Sequence, residues 1–192
     1  MDKDIKPYRQ RGATCAVACM LMVLEYYKII SKANWYDERR FYRIYGSKNM
    51  DGTPFSALAY HFSKNGLNTS LYHSEESLFH NKNNALGNKE FEYLMAEYKE
   101  HLEHAIKSGT NVINGIDIKA ELLKQKLEEG NIIILAGQIG EIYHAILLSG
   151  YEDDKFIVCD PLYRQKQIKT FAEIEQFMNT NIGKWFVTVN NY

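Results

Sequence analysis

The feature that most constrains the fold of this chain is the run CAVACMLMVL at positions 15–24, which is apolar on every side. A surface helix carries an apolar stripe beside polar residues, whereas a helix that is apolar all round is enclosed by the rest of the protein. Thr14 suits an N-cap, which places Cys15 in the first helical turn, and we expect the helix to run to about residue 27. The sequence therefore predicts a buried central helix that begins at a cysteine.

Helical patterns dominate the first part of the chain, and strand patterns follow them. Periodic spacing predicts further helices at positions 37–45, 55–64, 88–107, 118–129 and 171–178. Alternating or β-branched runs predict strands at positions 67–73, 131–136, 143–151, 155–160 and 184–189. Because the sheet is concentrated after the helices, we predict an α+β fold whose central helix packs across a C-terminal antiparallel sheet.

The length of 192 residues suits a single domain, because a chain of this size buries most of the surface that its unfolded form exposes. Hydrophobic residues make up 45% and charged residues 24%, which is typical of globular proteins. We predict one domain over residues 1–192, with an exposed loop and a helical insert at about 74–115. The insert is interpreted as a peripheral packing helix, and a role at the border of a binding cleft is the alternative.

The charge distribution limits the possible partners. The formal net charge is −1, and the 23 basic residues are scattered among 24 acidic ones without a basic run, so we do not expect nucleic acid as a partner. The start MDKDIKPYRQRG lacks the apolar stretch of a signal peptide, and no window approaches the ~20 apolar residues of a membrane span. We therefore predict a cytoplasmic protein with no membrane span, and we predict no cofactor.

The three cysteines are too few for a disulfide scaffold, so each needs its own explanation. Cys15 differs from the other two because the positive end of the helix dipole favours the thiolate, which is the nucleophilic form. Cys19 lies one turn deeper in the apolar run, and strand alternation turns Cys159 away from the neighbouring Asp160. We interpret Cys19 and Cys159 as small buried hydrophobic residues and Cys15 as a nucleophile.

A cysteine nucleophile needs a base and a group that orients the base, and the predicted sheet offers both. His144 lies within an otherwise apolar strand, and Asp160 ends the strand that follows. A carboxylate in that position is costly to bury unless a partner is near. If residues 151–153 form the connection, antiparallel pairing sets Asp160 directly opposite His144 on the same face. We therefore predict His144 as the general base and Asp160 as its orienting partner.

Acyl transfer also needs donors for the oxyanion, commonly a backbone N–H at the nucleophile and a side-chain amide. Gln10 lies just upstream of Cys15 in YRQRGATC. Gly12 would let the backbone bend enough to bring Gln10 beside the nucleophile. Gln10 is therefore the candidate for the oxyanion hole, and a solvated loop glutamine remains the alternative.

At these residues the chain resembles the bacteriocin-processing, double-glycine peptidases and their stand-alone relatives, a branch of the papain-like fold. The likeness lies in Gln10 followed by CAVACMLMVLEYY, in DGTPFSALAYHFSKNGL, and in HAILLSGYEDDKFIVCDP. The resemblance implies a papain-like fold and a Cys, His, Asp triad with an upstream Gln, which would fall on Cys15, His144, Asp160 and Gln10. Ala16 stands where the family usually has Gly, and the spacing from Gln10 to Cys15 is one residue shorter than usual.

The predicted function is cleavage of a peptide or small amide through a thioester acyl-enzyme, with Cys15 attacking the carbonyl and His144 protonating the leaving amine. An acyltransferase would share the first step and use an amine as acceptor, so that function stays open. A catalytically silent peptide-binding domain also stays open, as does a zinc-binding module built from Cys15, Cys19, His101 and His104. For the hydrolase we predict no metal in the site.

Overall fold

The computed structural model describes residues 2–48, 51–75, 88–180 and 183–191. Its helices are α1 (Cys15–Tyr26), α2 (Trp35–Tyr45), α3 (Phe55–Lys64), α4 (Asn88–Lys107), α5 (Ala120–Glu128) and α6 (Phe171–Met178). Its strands are β1 (Asn68–His73), β2 (Asn111–Ile113), β3 (Ile132–Ile139), β4 (Ile142–Glu152), β5 (Lys155–Cys159), β6 (Gln167–Lys169) and β7 (Trp185–Asn190). The exposed loop predicted before α4 falls largely on residues 76–87, which lie outside the described residues.

Helix α1 runs through the interior, as its all-apolar sequence predicts. Every residue from Ala16 to Leu24 is buried, and the helix packs against β3, β4, α2 and α3. The helix ends at Tyr26, and Lys28 then adopts a left-handed conformation with a φ of 59°. That conformation turns the chain back, so that the N–H of Ile29 donates to the carbonyl oxygen of Leu24 at 2.9 Å. The predicted buried helix that starts at a cysteine is confirmed.

The sheet contains more strands than the sequence patterns predict. Its strand order is β2-β1-β7-β3-β4-β5-β6, and all neighbouring pairs are antiparallel except β1 and β2, which run parallel. The predicted C-terminal strands form its centre. β1, from the first half of the chain, joins them beside β7, and the edge strands β2 and β6 contain three residues each. Strands that short carry too few alternations to give a periodic signal in the sequence.

Helices cover both faces of the sheet. On one face, α1, α2 and α3 enclose a core that includes Leu21, Leu58 and Val187. On the other face, α5 and α6 pack over side chains such as Leu148 and Phe186. Successive strand residues point to opposite faces, so each central strand contributes to both cores. The predicted α+β class is confirmed, and none of the described helices is both long and apolar enough to cross a membrane.

The contact between α6 and the sheet depends on a glycine in β3. A Cβ atom added at Gly137 would overlap the ring and the carbonyl oxygen of Phe177. We therefore expect Gly137→Ala to lower the free energy of unfolding by about 1–3 kcal/mol, measured by urea denaturation. Gly12→Ala is the matched control, because a Cβ at Gly12 would meet no heavy atom within 4 Å. An equal loss of stability in both variants would contradict the prediction.

Candidate active site

Cys15 lies at the open end of the buried helix. It is the first residue of α1 and is half-buried, whereas the residues from Ala16 to Leu24 are buried. Thr14 occupies the N-cap position as predicted, but its side chain makes no capping hydrogen bond, because the hydroxyl donates to the carboxylate of Glu38 instead. The first N–H groups of a helix have no intrahelical acceptor. The thiol therefore lies beside N–H groups that no N-cap side chain covers.

His144 and Asp160 form a buried pair at the end of the sheet. The Nε2 atom of His144 donates to Oδ1 of Asp160 at 2.8 Å, and each residue is 7% exposed. The same oxygen accepts the N–H of Leu162 at 2.9 Å, which holds the carboxylate in place. Because Nε2 is occupied, Nδ1 is the ring nitrogen left for the Cys15 thiol, which lines the same pocket as His144 and raises its pKa. The structure thus brings together three of the four predicted site residues.

The predicted register of the strands that carry this pair is wrong. The turn between β4 and β5 consists of Asp153 and Asp154, both with positive φ, rather than residues 151–153. The register then shifts by one residue at Ser149, so that Leu147 pairs with Cys159. Extending that register places Asp160 opposite Ile146 rather than His144.

The register shift at Ser149 nevertheless keeps His144 and Asp160 on one face. Without the extra residue, Asp160 would lie opposite Leu147, whose side chain faces the α1 side of the sheet. Because alternate residues share a face, the shift returns Asp160 to the face of Ile146 and His144. The N-terminal segment pairs with this irregular position: the N–H of Lys3 donates to the Ser149 carbonyl oxygen at 3.0 Å, and the Ser149 hydroxyl donates to Asp2 at 2.7 Å.

The surroundings of His144 favour its protonated form. Burial favours the neutral ring, but the hydrogen bonds to Asp160 and Cys15 outweigh it and raise the pKa of His144 to about 9. The stabilisation from these partners is fully present below the ordinary pKa of 6.5 and is lost as the pH rises through about 9. The ring of Phe177 contacts the imidazole edge-on, with 6.3 Å between ring centroids. We therefore expect the imidazolium form of His144 in the pocket that it shares with Cys15 at neutral pH.

Gln10 lies on the loop before α1. Its backbone N–H donates to the carbonyl oxygen of Pro161 at 2.9 Å, which fixes the loop to the residue that follows Asp160. Its side-chain nitrogen donates to the carbonyl oxygen of Gly12 at 2.6 Å. Gln10 does not occur among the described residues that line the pocket beside Cys15. The structure thus places Gln10 next to the site without directing its amide into that pocket.

Cys19 and Cys159 lie in the interior, where the sequence places them. Both are fully buried, and both belong to the core on the α1 side of the sheet. Burial raises the pKa of Cys19 well above its usual value and raises that of Cys159 to about 11. The thiol of Cys19 donates to the carbonyl oxygen of Ala145 at 3.6 Å. Cys15 is therefore the cysteine with access to a pocket.

An apolar pocket lies beside Cys15 and His144, and the sequence patterns did not predict its walls. Its large side chains are Phe55 on α3, Tyr98 on α4 and Trp185 on β7. The ring of Tyr98 packs edge-on against Trp185, with 5.3 Å between centroids. Helix α4 of the insert thus contributes one wall of this pocket, which favours the alternative that the insert borders a cleft. The spacing of apolar residues identified α4 as a helix, but it contains no signal for which apolar side chain reaches a cleft.

The candidate zinc ligands take other roles. Cys19 is enclosed in the core, and the ring of His104 contacts Tyr60 with 5.5 Å between centroids. Among the residues that the structure describes, no three His, Cys, Asp or Glu side chains are grouped as a metal site would require. The described residues therefore offer no site that would support a zinc-binding module.

A cysteine at the start of a buried helix, beside a hydrogen-bonded imidazole–carboxylate pair on an adjoining sheet, is typical of the class of papain-like cysteine peptidases. Within that class, the model of the Peptidase_C39 like family matches residues 2–188, and the chain belongs to this family. The predicted papain-like fold is confirmed, and membership indicates cysteine peptidase activity. No curated protein matches the chain.

The cause of the shifted pKa of His144 can be tested directly. We expect an NMR titration of the imidazole to give a midpoint of about 9 in the wild-type protein. Because Asp160 and Cys15 both raise this pKa, Asp160→Asn and Cys15→Ala should each lower the midpoint. His61 on α3, whose pKa burial lowers to about 4 and whose ring contacts Phe41 and Tyr45, serves as an internal control whose midpoint should not change. A midpoint for His144 that is unaffected by both substitutions would contradict the hydrogen-bonded arrangement.

Proposed function

We propose that this protein is a cysteine peptidase or amide hydrolase with Cys15 as the nucleophile, His144 as the general acid and base, and Asp160 as the group that orients the ring. The observation that carries the proposal is the series Cys15, His144 and Asp160 at the open end of α1, in which Cys15 and His144 line one pocket and His144 donates a buried hydrogen bond to Asp160. The series supplies a sulfur, a proton carrier and a fixed carboxylate in the order that acyl transfer needs.

Acylation begins with a protonated His144 beside the Cys15 sulfur. The Cys15 sulfur attacks the carbonyl carbon of the substrate, and the carbonyl π electrons move to the oxygen. When the tetrahedral intermediate collapses, the C–N bond breaks, and the proton of His144 goes to the leaving amine. The pKa of about 9 supports this role, because the ring carries the proton at neutral pH. The products of this step are a thioester on Cys15, a neutral His144 and a free amine.

Deacylation returns the enzyme to its first state. The neutral His144 takes a proton from water as the water oxygen attacks the thioester carbonyl. The C–S bond then breaks, and the sulfur leaves with the imidazolium re-formed beside it. Asp160 keeps the ring in one orientation during both steps, because it accepts the N–H of Nε2 while Nδ1 faces the sulfur.

Gln10 and the N–H groups at the start of α1 are the proposed oxyanion donors. The Gln10 amide has two N–H bonds, and only one is needed for the Gly12 carbonyl oxygen. Its Oε1 atom is buried without a partner in the described part of the chain, so a small rotation of the side chain breaks no further hydrogen bond there. The hydrogen bond from the Gln10 backbone to Pro161 fixes this part of the loop beside the residue that follows Asp160. These contacts support Gln10 as a donor that turns toward the oxyanion when substrate binds.

The central experiment is covalent labelling with an electrophilic peptide, followed by mapping of the modified residue. We expect modification at Cys15 alone, because Cys19 and Cys159 are fully buried. Peptide cleavage should be lost in Cys15→Ala and reduced by about 100-fold or more in His144→Ala. Cys159→Ala is the matched control for removal of a thiol and should keep the label on Cys15.

The same labelling and cleavage assays distinguish the hydrolase from an acyltransferase and from a catalytically silent domain. Products that form only when an amine is added would identify an acyltransferase and overturn the hydrolase. Slow modification of all three cysteines, only after unfolding, would identify a catalytically silent domain. Cleavage that survives Cys15→Ala would contradict the proposal for the nucleophile.

The apolar pocket beside Cys15 supports a preference for an apolar side chain of the substrate. Ala136 lines this pocket from β3 together with Tyr98 and Trp185, so a larger side chain at this position would take up space in the pocket. We expect Ala136→Leu to lower kcat/KM for peptides with a Leu or Phe in this pocket by about tenfold or more, because one apolar group in a pocket contributes about 1–3 kcal/mol. Peptides with Ala there should be affected by less than about threefold.

Ala136→Ser is the control for this prediction, because it changes the residue and leaves the pocket open. Rates measured on a peptide series that differs at one position would check both variants. An equal loss for small and large side chains would show that the substitution acts on the fold and not on the pocket.

A further inference from the structure

A buried acidic residue on α2 has no role in the steps above. Glu38 is fully buried, with 0% of its surface exposed. It lies on the face of α2 that also buries Phe41 and Tyr45, three and seven residues further along the helix. An acidic side chain is rarely buried without partners, because removing it from water is costly. Glu38 is therefore buried for a reason other than packing.

Within the described residues, the three side-chain hydrogen bonds of Glu38 all go to residues 8–14, the segment before Cys15, which we call the nucleophile loop. The hydroxyl of Tyr8 donates to Oε2 at 2.5 Å, and the backbone N–H of Arg11 donates to Oε1 at 2.9 Å. The hydroxyl of Thr14 also donates to Oε1. The carboxylate thus binds the beginning, the middle and the end of the loop.

The hydrogen bonds from the nucleophile loop to Glu38 have a carboxylate as their acceptor. Hydrogen bonds to a carboxylate are shorter and stronger than those between neutral groups. Burial and the hydrogen bond to Glu38 raise the pKa of Tyr8, so its hydroxyl stays a donor over the whole physiological range. Glu38 takes part in none of the ion pairs found within the described residues. The polar contacts of Glu38 there therefore come from the nucleophile loop.

The position of the loop gives these contacts a consequence for the site. Gln10 lies between Tyr8 and Arg11, and Thr14 directly precedes Cys15. Because Glu38 binds the Thr14 hydroxyl, that hydroxyl does not cap α1, and the first N–H groups of the helix stay uncovered beside the thiol. Glu38 therefore contacts both the loop that carries Gln10 and the residue that directly precedes the helix start.

We infer that Glu38 is a positioning residue that holds the nucleophile loop so that Gln10 and the N–H groups at the start of α1 can bind the oxyanion. The inference rests on the proposed function. Glu38 touches neither the substrate nor the sulfur, and it acts through the loop. A positioning role of this kind affects acylation, which forms an oxyanion, more than simple alkylation of the thiol, which forms none.

Glu38→Met tests whether acylation is affected more than alkylation, because Met has a similar volume to Glu and cannot accept the three hydrogen bonds. We expect the rate of Cys15 acylation by an activated peptide ester to fall by about 10- to 1,000-fold, the range for loss of oxyanion donors. Alkylation of Cys15 by iodoacetamide should change by less than about threefold, because the His144 contact is unaltered. Glu38→Gln should recover most of the acylation rate, because its amide oxygen can still accept from Arg11 and Thr14.

Glu25→Met is the matched control. Glu25 also fixes a loop, accepting the N–H of Ala33 at 2.8 Å, but that loop follows α1 and does not reach the site. This variant should lose stability without changing the ratio of acylation to alkylation. The inference is overturned if Glu38→Met lowers both rates by the same factor or lowers neither, or if Glu38→Gln is as damaging as Glu38→Met.

Two further measurements test the inference if Glu38→Met does not fold or if the wild-type protein shows no acylation. If Glu38→Met does not fold, Tyr8→Phe removes one donor and should reduce acylation alone, and equal effects on both rates would overturn the inference. If the wild-type protein shows no acylation that depends on Cys15, the proposed function fails by itself. Amide exchange then tests the loop: the Arg11 N–H should be protected in the wild-type protein and exchange faster in Glu38→Met, and equal exchange would overturn the contact.

Discussion

The hydrogen bond between His144 and Asp160 is the interaction on which the site depends. Both groups are buried at the end of the sheet, and neither could be removed from water cheaply without the other. The bond also decides which ring nitrogen faces α1, because the carboxylate occupies Nε2. Cys15 on α1 and His144 on β4 therefore line one pocket, in which Nδ1 is the ring nitrogen left for the sulfur. Loss of the carboxylate would leave a buried ring with no fixed orientation.

Much of this arrangement could be predicted from the sequence, because burial leaves clear patterns. The apolar run after Cys15 predicts an enclosed helix, and a lone His in an apolar strand followed by an Asp at a strand end predicts a buried pair. The register could not be predicted, because the extra residue at Ser149 is held by Asp2 and Lys3 from the other end of the chain. Periodicity contains only local information and cannot detect such a contact.

The orientation of Gln10 and the role of Glu38 were beyond sequence analysis for a related reason. The Gln10 amide is directed by the Gly12 carbonyl oxygen, which only the bend of the loop brings within reach. Glu38 did leave a signal, since it shares the apolar face of α2 with Phe41 and Tyr45, but an acidic residue on such a face is commonly exposed at its edge. Asp160 and Glu38 have comparable roles, because each is a buried carboxylate that accepts a side-chain donor and a backbone N–H.

The register shift in β4 makes the number of residues between Ser149 and Asp160 more important than their identity. A strand reverses its facing with each residue added or removed, so a single insertion in the β4–β5 hairpin would turn the carboxylate toward α1. Exchange of one turn residue for another that tolerates positive φ would leave the site intact. A relative that has lost the extra residue in β4 could keep the pair only by changing the length of β5 or its turn in compensation. Comparison of hairpin lengths, and not of residue types, is therefore the more informative way to recognise this site in other sequences.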